Sequence, residues 1–318
     1  MTCGVMGLKM ARRRKTGQPI NGWIILDKPA GMTSASAVEV VRKRLDAQKA
    51  GHAGTLDPLA TGVLPIALGE ATKTLPYVVD SYKSYQFTLR WGIATLTEDE
   101  EGETTEKSSV RPSQAEIEDA LSYFIGEIEQ VPPIYSAIKV GGERAYDIAR
   151  RGDLVVLEPR RIWIESFRLL KVLDLDHAVF TVVSGKGAYM RSLARDFARH
   201  LGTVGHTAQL RRTAVAGFSE NDAISLDGLD GFRQCPAGLE VLLPIETALD
   251  GIPALALTEQ EAARLRTGQV VPLLKKTDLE RSGMFGDGET VLATVGGKPV
   301  ALTKYSAGEV RPVRVLNL

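Results

Sequence analysis

The sequence predicts an α+β protein in two parts. Strand-like alternation of apolar and polar residues and amphipathic helical periods are interleaved up to about residue 202. Beyond VLLPIETALDGIP (241–253) only short apolar runs separated by Gly-rich turns follow. The larger part is expected to span residues 21–250 and a small β-rich part residues 251–318. Residues 1–20, which lack hydrophobic periodicity, are expected to form a flexible basic tail.

In chain order, GWIILD (22–27) has the length of a buried strand. KPAGMTS (28–34) is turn chemistry, and SASAVEVVRKRL (34–45) is a helix with Val38, Val41 and Leu45 on one face. The loop GHAGTLDPLATG (51–62) follows. Its Asp57 precedes Pro58, a standard way to open a helix: the carboxylate accepts backbone N–H groups and proline takes the first helical position. On residue type alone, Asp57 reads as a helix cap. In SYKSYQFTLRW (81–91), Tyr85, Phe87, Leu89 and Trp91 alternate with polar residues as in a half-buried strand, so Tyr85 on its own reads as a core aromatic. Ser113 and Glu116 form a capping box before Ile117, Leu121, Phe124 and Ile125. After PPIYSAIKVGGERAYDIARRG (132–152) come two strands, RRIWIESFRLLKVLD and HAVFTVVSG. GKGAYMRSLARDFARHLG (185–202) is a helix with Met190, Leu193, Phe197 and Leu201 inward and Arg191, Arg195 and Arg199 on another face. In the tail, VVPLL, TVLATVGG, KPVALTKY and VRPVRVLNL read as strands.

Composition narrows the function. No window approaches the roughly 18 apolar residues of a membrane span, and the start has no apolar secretory block, so a cytoplasmic location and no membrane partner are expected. Cys3 and Cys235 are too few for a disulfide framework or a zinc site. The formal charge is zero, yet EDEEGETTE (98–106) holds six acids and no base, which leaves the remaining chain with six more bases than acids. RRRK (12–15), ERAYDIARR (143–151), the Arg191, Arg195, Arg199 series and LRR (210–212) are each an ordinary solvated face, and together they permit a phosphate-tracking surface. There is no phosphate loop, no GxGxxG, no metal-ligand cluster around His52, His177, His200 or His206, and no GxSxG elbow. Carboxylate chemistry without cofactor or metal is what remains.

Arg191 falls at the start of its helix, where the macrodipole disfavours a cation. It is either exposed and indifferent or held by an anion from elsewhere. If that anion is Asp57, the pair would keep the carboxylate ionised and aimed, as a nucleophile requires.

GHAGTLDPLATGVLPIALGEATK resembles the catalytic-aspartate motif of the bacterial TruB-type family, the tRNA pseudouridine-55 synthases. ILDKPAGMTS, SYKSYQFTLRWGIATLTEDEEGE, PPIYSAIKVGGERAYDIARRG and GAYMRSLARDFARHLGTVGHTAQLRRTAVAGF match further blocks of that family in the same order, over about residues 21–250. The resemblance implies a central mixed, largely antiparallel sheet flanked by helices, followed by a small PUA-like RNA-binding domain. It also implies isomerisation of uridine to pseudouridine in the T-arm loop of tRNA, with no cofactor, no obligate protein partner and a monomeric state. It casts Asp57, Tyr85 and Arg191 as catalytic. His52, Tyr85, Tyr189 and Leu210 become substrate-binding residues, and Lys28 and Pro29 become supports of the aspartate loop. Two other classes compete. A glycoside hydrolase would need a second carboxylate as acid, and the acidic stretch, its main source in the motif blocks, reads as exposed. A non-catalytic RNA chaperone would have no use for Asp57, Tyr85 and Arg191 together. Since all three lie before residue 250, a chain ending there is expected to fold.

Overall fold

The computed structural model describes residues 17–229, 241–273 and 285–318. The expected tail up to residue 16, with RRRK and Cys3, lies outside the described residues, as does Cys235. Of the rest of that tail, Gln18 is already ordered: it bridges Ala47 and its N–H donates to the Asp46 carbonyl at 2.6 Å.

The larger sheet contains β1 (Gly22–Lys28), β2 (Ala50–His52), β3 (Thr61–Leu68), β4 (Lys83–Trp91), β5 (Gly126–Gln130), β6 (Arg160–Val172), β7 (His177–Ser184), β8 (Gly205–Val215) and β9 (Phe218–Ser219). Its order is β1-β3-β8-β4-β7-β6-β5, with β2 on β3 and β9 on β8. Every pairing is antiparallel except β3 with β8, so the sheet is mixed and largely antiparallel. Helices α1 (Ser34–Arg44), α2 (Leu75–Val79), α3 (Gln114–Ala120), α4 (Ala145–Arg150) and α5 (Met190–His200) accompany it. The Ser113–Glu116 capping box is formed, but α3 gives way at Leu121 to a 3-10 turn instead of continuing to Ile125.

Burial follows the strand period of two. On β1, Ile24 and Leu26 join the core on the helical face. That core holds Phe87, Phe167, Phe180 and the Phe197 of α5, with rings 4.9–6.1 Å apart. Trp23 and Ile25 point the other way, into a second core with Val63, Ala67, Val78 and Phe218.

One edge of β3 is divided, and the division creates the aspartate loop. β2 pairs with Ile66–Leu68 and β8 with only Thr61 and Gly62. The carbonyls between them are taken by other donors: Ala53 N–H on Pro65 at 2.9 Å and Arg212 Nε on Val63 at 2.8 Å. Residues 53–60 therefore leave the sheet as a loop. Gly62 (φ 99°) is required at its end, since a Cβ there would lie 2.2 Å from the Arg212 carbonyl oxygen. No helix begins at Asp57, which overturns the capping expectation; the residues that follow enter β3.

The C-terminal sheet comprises β10 (Ala254–Ala256), β11 (Val271–Pro272), β12 (Thr290–Val295), β13 (Lys298–Ser306) and β14 (Glu309–Val315), ordered β10-β12-β13-β14-β11. Helix α6 (Glu259–Arg266) covers it behind a Thr258–Glu261 capping box that the β-rich expectation passed over. This sheet is not merely appended. Its Leu292 and Leu302, and Leu316 just past its last strand, are buried in the same core as Trp23, Ile25 and Val63. Lys73 Nζ donates to the Val315 carbonyl at 2.7 Å, and Asn317 N–H donates to Glu70 at 2.7 Å.

That shared core changes what truncation should do. Ending the chain at residue 250 removes three buried leucines, each worth about 1.5–3 kcal/mol of burial, and uncovers the Trp23 face. The truncated chain is expected to unfold well below the full chain in a thermal melt, and an unchanged melting temperature would contradict the shared core.

Candidate active site

Asp57 stands on the loop between β2 and β3 with its side chain 30% exposed, and it meets Arg191, whose side chain is only 4% exposed. Arg191 Nε donates to Asp57 Oδ2 at 2.9 Å. The other guanidinium nitrogens donate to the Thr97 carbonyl at 2.8 Å and the Tyr135 carbonyl at 3.0 Å. Asp99 Oδ2 lies 3.6 Å from Arg191 Nη1. The cation at the start of α5 is thus the held one, and its planar fork is what lets one side chain grip separate segments.

Asp99 corrects the expectation that the acidic stretch is exposed. It is buried, and its Oδ1 accepts from the Thr97 hydroxyl and from Glu101 N–H at 3.1 Å. Burial pushes its carboxyl above the usual range, opposed by the Thr97 hydrogen bond and the Arg191 charge. A buried guanidinium at a helix N-terminus draws in anionic groups, and the neighbouring acids supply them.

Lys28 holds the underside of the loop. It is fully buried, and its ammonium donates to the carbonyls of Pro29 and Met32 at 2.8 Å and of Pro58 at 3.2 Å. The Lys28–Pro29 turn is thereby tied to Pro58, the residue after Asp57. Ser34 adds a second tie, accepting from Leu56 N–H at 2.8 Å and donating to the Leu56 carbonyl at 3.0 Å.

Arg212, read in the sequence as part of a basic cluster, is a buried strut. It donates to the Val63 carbonyl at 2.8 Å, the Gly54 carbonyl at 3.1 Å and the Thr55 carbonyl at 3.5 Å. Tyr85 is half-buried on β4, opposite Arg212 in the β8 register. His52, on β2, is held below its ordinary pKa by burial and by the Arg212 charge, against a backbone contact with Gly54.

Tyr189 precedes α5. Its N–H and carbonyl are matched by the Gln130 side chain at 2.8 and 3.1 Å, which supplies the helix start with the partner it lacks locally. Burial raises the Tyr189 phenol and the Asp57 charge adds to this, while the nearby Ser136 hydroxyl opposes it. Leu210, 7% exposed on β8, belongs to the helical-side core and borders a cavity of about 560 Å³ with Leu59, Thr61 and Phe87. The cavity opens beside the aspartate loop, but its lining does not include Asp57.

The basic clusters divide. Arg195 pairs with Glu98 and Asp196, Arg211 with Asp27 and Glu220, and Arg212 is buried, so these face acids and carbonyls of the fold rather than an outside phosphate. Arg144 and Arg150 are exposed and flank the Tyr146 ring at 5.8 and 5.4 Å.

Residues 42–190 match the TruB family pseudouridylate synthase N-terminal domain, and residues 191–250 the tRNA pseudouridylate synthase B C-terminal domain. The tRNA pseudouridine synthase B of Caulobacter sp. (strain K31) is 51% identical over 310 residues, 97% of this chain and 100% of that protein. That of Rhodospirillum rubrum is 53% identical over 309 residues, with the same coverage. The chain belongs to the TruB family of pseudouridylate synthases. As a member it is an isomerase that converts uridine to pseudouridine. A chain of a solved Cbf5-Nop10-Gar1 complex superposes with a TM-score of 0.69 at 26% identity, covering 90% of this chain and 78% of that one. A chain of an H/ACA RNP bound to a substrate RNA containing 2'-deoxyuridine has a TM-score of 0.72 at 21% identity, covering 98% and 93%, and shares the fold. Among the described residues no helix is long and apolar enough to cross a membrane.

Burial lowers the Lys28 pKa from 10.5 to about 8, the Asp57 charge opposing and the Arg212 charge assisting. The folded state then binds fewer protons than the unfolded state between those values, so stability rises with pH across that window. Below about pH 8 the full cost of the buried charge is present. Relative to Lys28→Met, the wild-type unfolding free energy should climb from about pH 8 to 10.5, by no more than about 1.4 kcal/mol per pH unit. Urea unfolding at several pH values checks this, and a flat or falling difference would contradict it.

Proposed function

We propose that this enzyme isomerises the uridine at position 55, in the T-arm loop of tRNA, with Asp57 as the catalytic carboxylate. The Asp57–Arg191 contact carries the assignment: a part-exposed carboxylate is aimed by a buried cation that is itself held by two backbone carbonyls. The tRNA substrate is supported by the full-length relatives named tRNA pseudouridine synthase B.

Substrate and product are isomers, so the reaction needs no net oxidant, reductant or water. The C1′–N1 bond breaks, the uracil turns while held in the site, C5 bonds to C1′, the C5 proton is removed and N1 gains a proton, so the atoms balance. Asp57 acts at the sugar, either by attack at C1′ or as a base at C2′. Tyr85 is suited to stack on the base and to take the C5 proton, and it stands opposite Arg212 in the β4–β8 register. His52, Tyr189 and Leu210 are assigned to contact with the substrate. The target base cannot react within folded RNA, so it must be extruded, at a cost of a few kcal/mol offset by stacking and phosphate contacts. The exposed Arg144 and Arg150 and the C-terminal sheet, residues 251–318, are assigned to RNA contact, with residues 21–250 as the catalytic part.

The glycosidase alternative gains nothing from Asp99, the acid nearest the Asp57–Arg191 pair, which is 3% exposed and occupied by Thr97, Glu101 and Arg191.

Asp57→Asn separates chemistry from architecture, because the amide is nearly isosteric but neither nucleophilic nor basic. Turnover of an unmodified tRNA transcript should disappear while tRNA affinity persists. A folded, tRNA-binding Asp57→Asn enzyme that forms pseudouridine at the wild-type rate would overturn the assignment.

A further inference from the structure

Two adjacent acids on one turn meet two arginines one helical turn apart. Asp99 approaches Arg191, and Glu98 takes Arg195 Nη1 and, at 3.1 Å, the Ser192 hydroxyl. Residues four apart lie on the same face of a helix, which is why α5 can offer both cations to a single turn. Neighbours in an extended chain point to opposite sides, so both acids can face α5 only where the backbone bends. The bend is at Glu98 itself, whose φ is 63°, a left-handed conformation that a residue with a Cβ seldom adopts.

The turn is fixed on its other sides too. The Glu98 carbonyl accepts from Thr207 N–H of β8 at 3.1 Å, and Arg195 donates to the Val131 carbonyl at 2.9 Å. The residues flanking Glu98 are Thr97 and Asp99, the two members of this turn that hold Arg191. A buried ion pair contributes little stability compared with an apolar pair of the same volume. A left-handed residue kept beside a candidate site points to a role there.

We propose that the Glu98–Arg195 ion pair is a positioning element for the isomerisation: it fixes the turn that presents the Thr97 carbonyl and Asp99 to Arg191, and so fixes the aim of Asp57. The proposal rests on the reading of Asp57 as the catalytic carboxylate. The side chains of Glu98 and Arg195 are each 15% exposed and turned to one another, so they act through Arg191 rather than on the RNA.

The test uses the full chain with Glu98→Gln, Glu98→Gly, Arg195→Met, the double variant Glu98→Gln/Arg195→Met, and Asp57→Asn. Single-turnover rate at saturating tRNA transcript, tRNA affinity and melting temperature are measured on each. Glu98→Gly keeps the left-handed backbone without its Cβ, so it removes the carboxylate while sparing the turn. Each single variant should lose about tenfold or more in rate, with affinity within about twofold. The double variant should be no slower than the slower single. Wild-type rates in folded single variants, additive losses in the double, or a loss confined to tRNA affinity would each overturn the pair. If Arg195→Met does not fold, the two Glu98 variants decide. Asp57→Asn separates this claim from the one beneath it: normal turnover there overturns the catalytic reading, whereas an inactive Asp57→Asn beside fully active Glu98 and Arg195 variants overturns the pair alone.

Discussion

A guanidinium buried at the N-terminus of a helix is the constraint around which this site is arranged. Arg191 cannot lose its charge, and the helix dipole works against it at that end. It is stable there only because its donors are matched: Asp57 from the loop before β3, Thr97 and Asp99 from the turn after β4, and Tyr135 from the segment after β5. Parts of the chain far apart in sequence must therefore be folded before the cation is satisfied. Once they are, the one anion of the group left part-exposed is Asp57.

The rest of the fold keeps that anion still. Lys28 and Ser34 grip the loop from the β1–α1 side, and Arg212 grips it from β8, which also carries Leu210. Arg212 has backbone carbonyls rather than a carboxylate as its hydrogen-bond partners, and it stands opposite Tyr85 in the β8–β4 register. That arrangement joins the placement of the tyrosine to the placement of the aspartate loop. Behind β1 and β3, the leucines of the C-terminal sheet close the second core, so the small sheet supports the strand from which the loop departs.

What could be read from the sequence was the part governed by local periodicity. β1, α1, β4, β6, β7 and α5 follow from spacing alone, and the Ser113–Glu116 box from two residues. Arg191 could be marked from its place at a helix start, but the choice between exposed and held depended on contacts made by Thr97 and Tyr135. Asp57–Pro58 misled because its capping signal is local, while the divided edge of β3 that makes it a loop is not. EDEEGETTE read as solvated because acidic runs usually are; burial of Glu98 and Asp99 depends on cations almost a hundred residues later. Arg195 and Arg212 carried no signal that separated them from surface bases. The resemblance to the family named Asp57, Tyr85, Arg191, His52, Tyr189 and Leu210; it did not supply the struts, Ser34, Gln130 and Arg212, that place them.

The dependence of the aspartate loop on Arg191 is open to direct measurement by a double-mutant cycle on unfolding free energy with Asp57→Asn, Arg191→Met and the double variant. If the carboxylate is held by this cation, the two substitutions couple, by about 0.5–3 kcal/mol, the range for residues in direct contact. Additive effects, with a coupling energy near zero, would mean that the 2.9 Å contact does not hold the loop and that Asp57 owes its placement to the other struts.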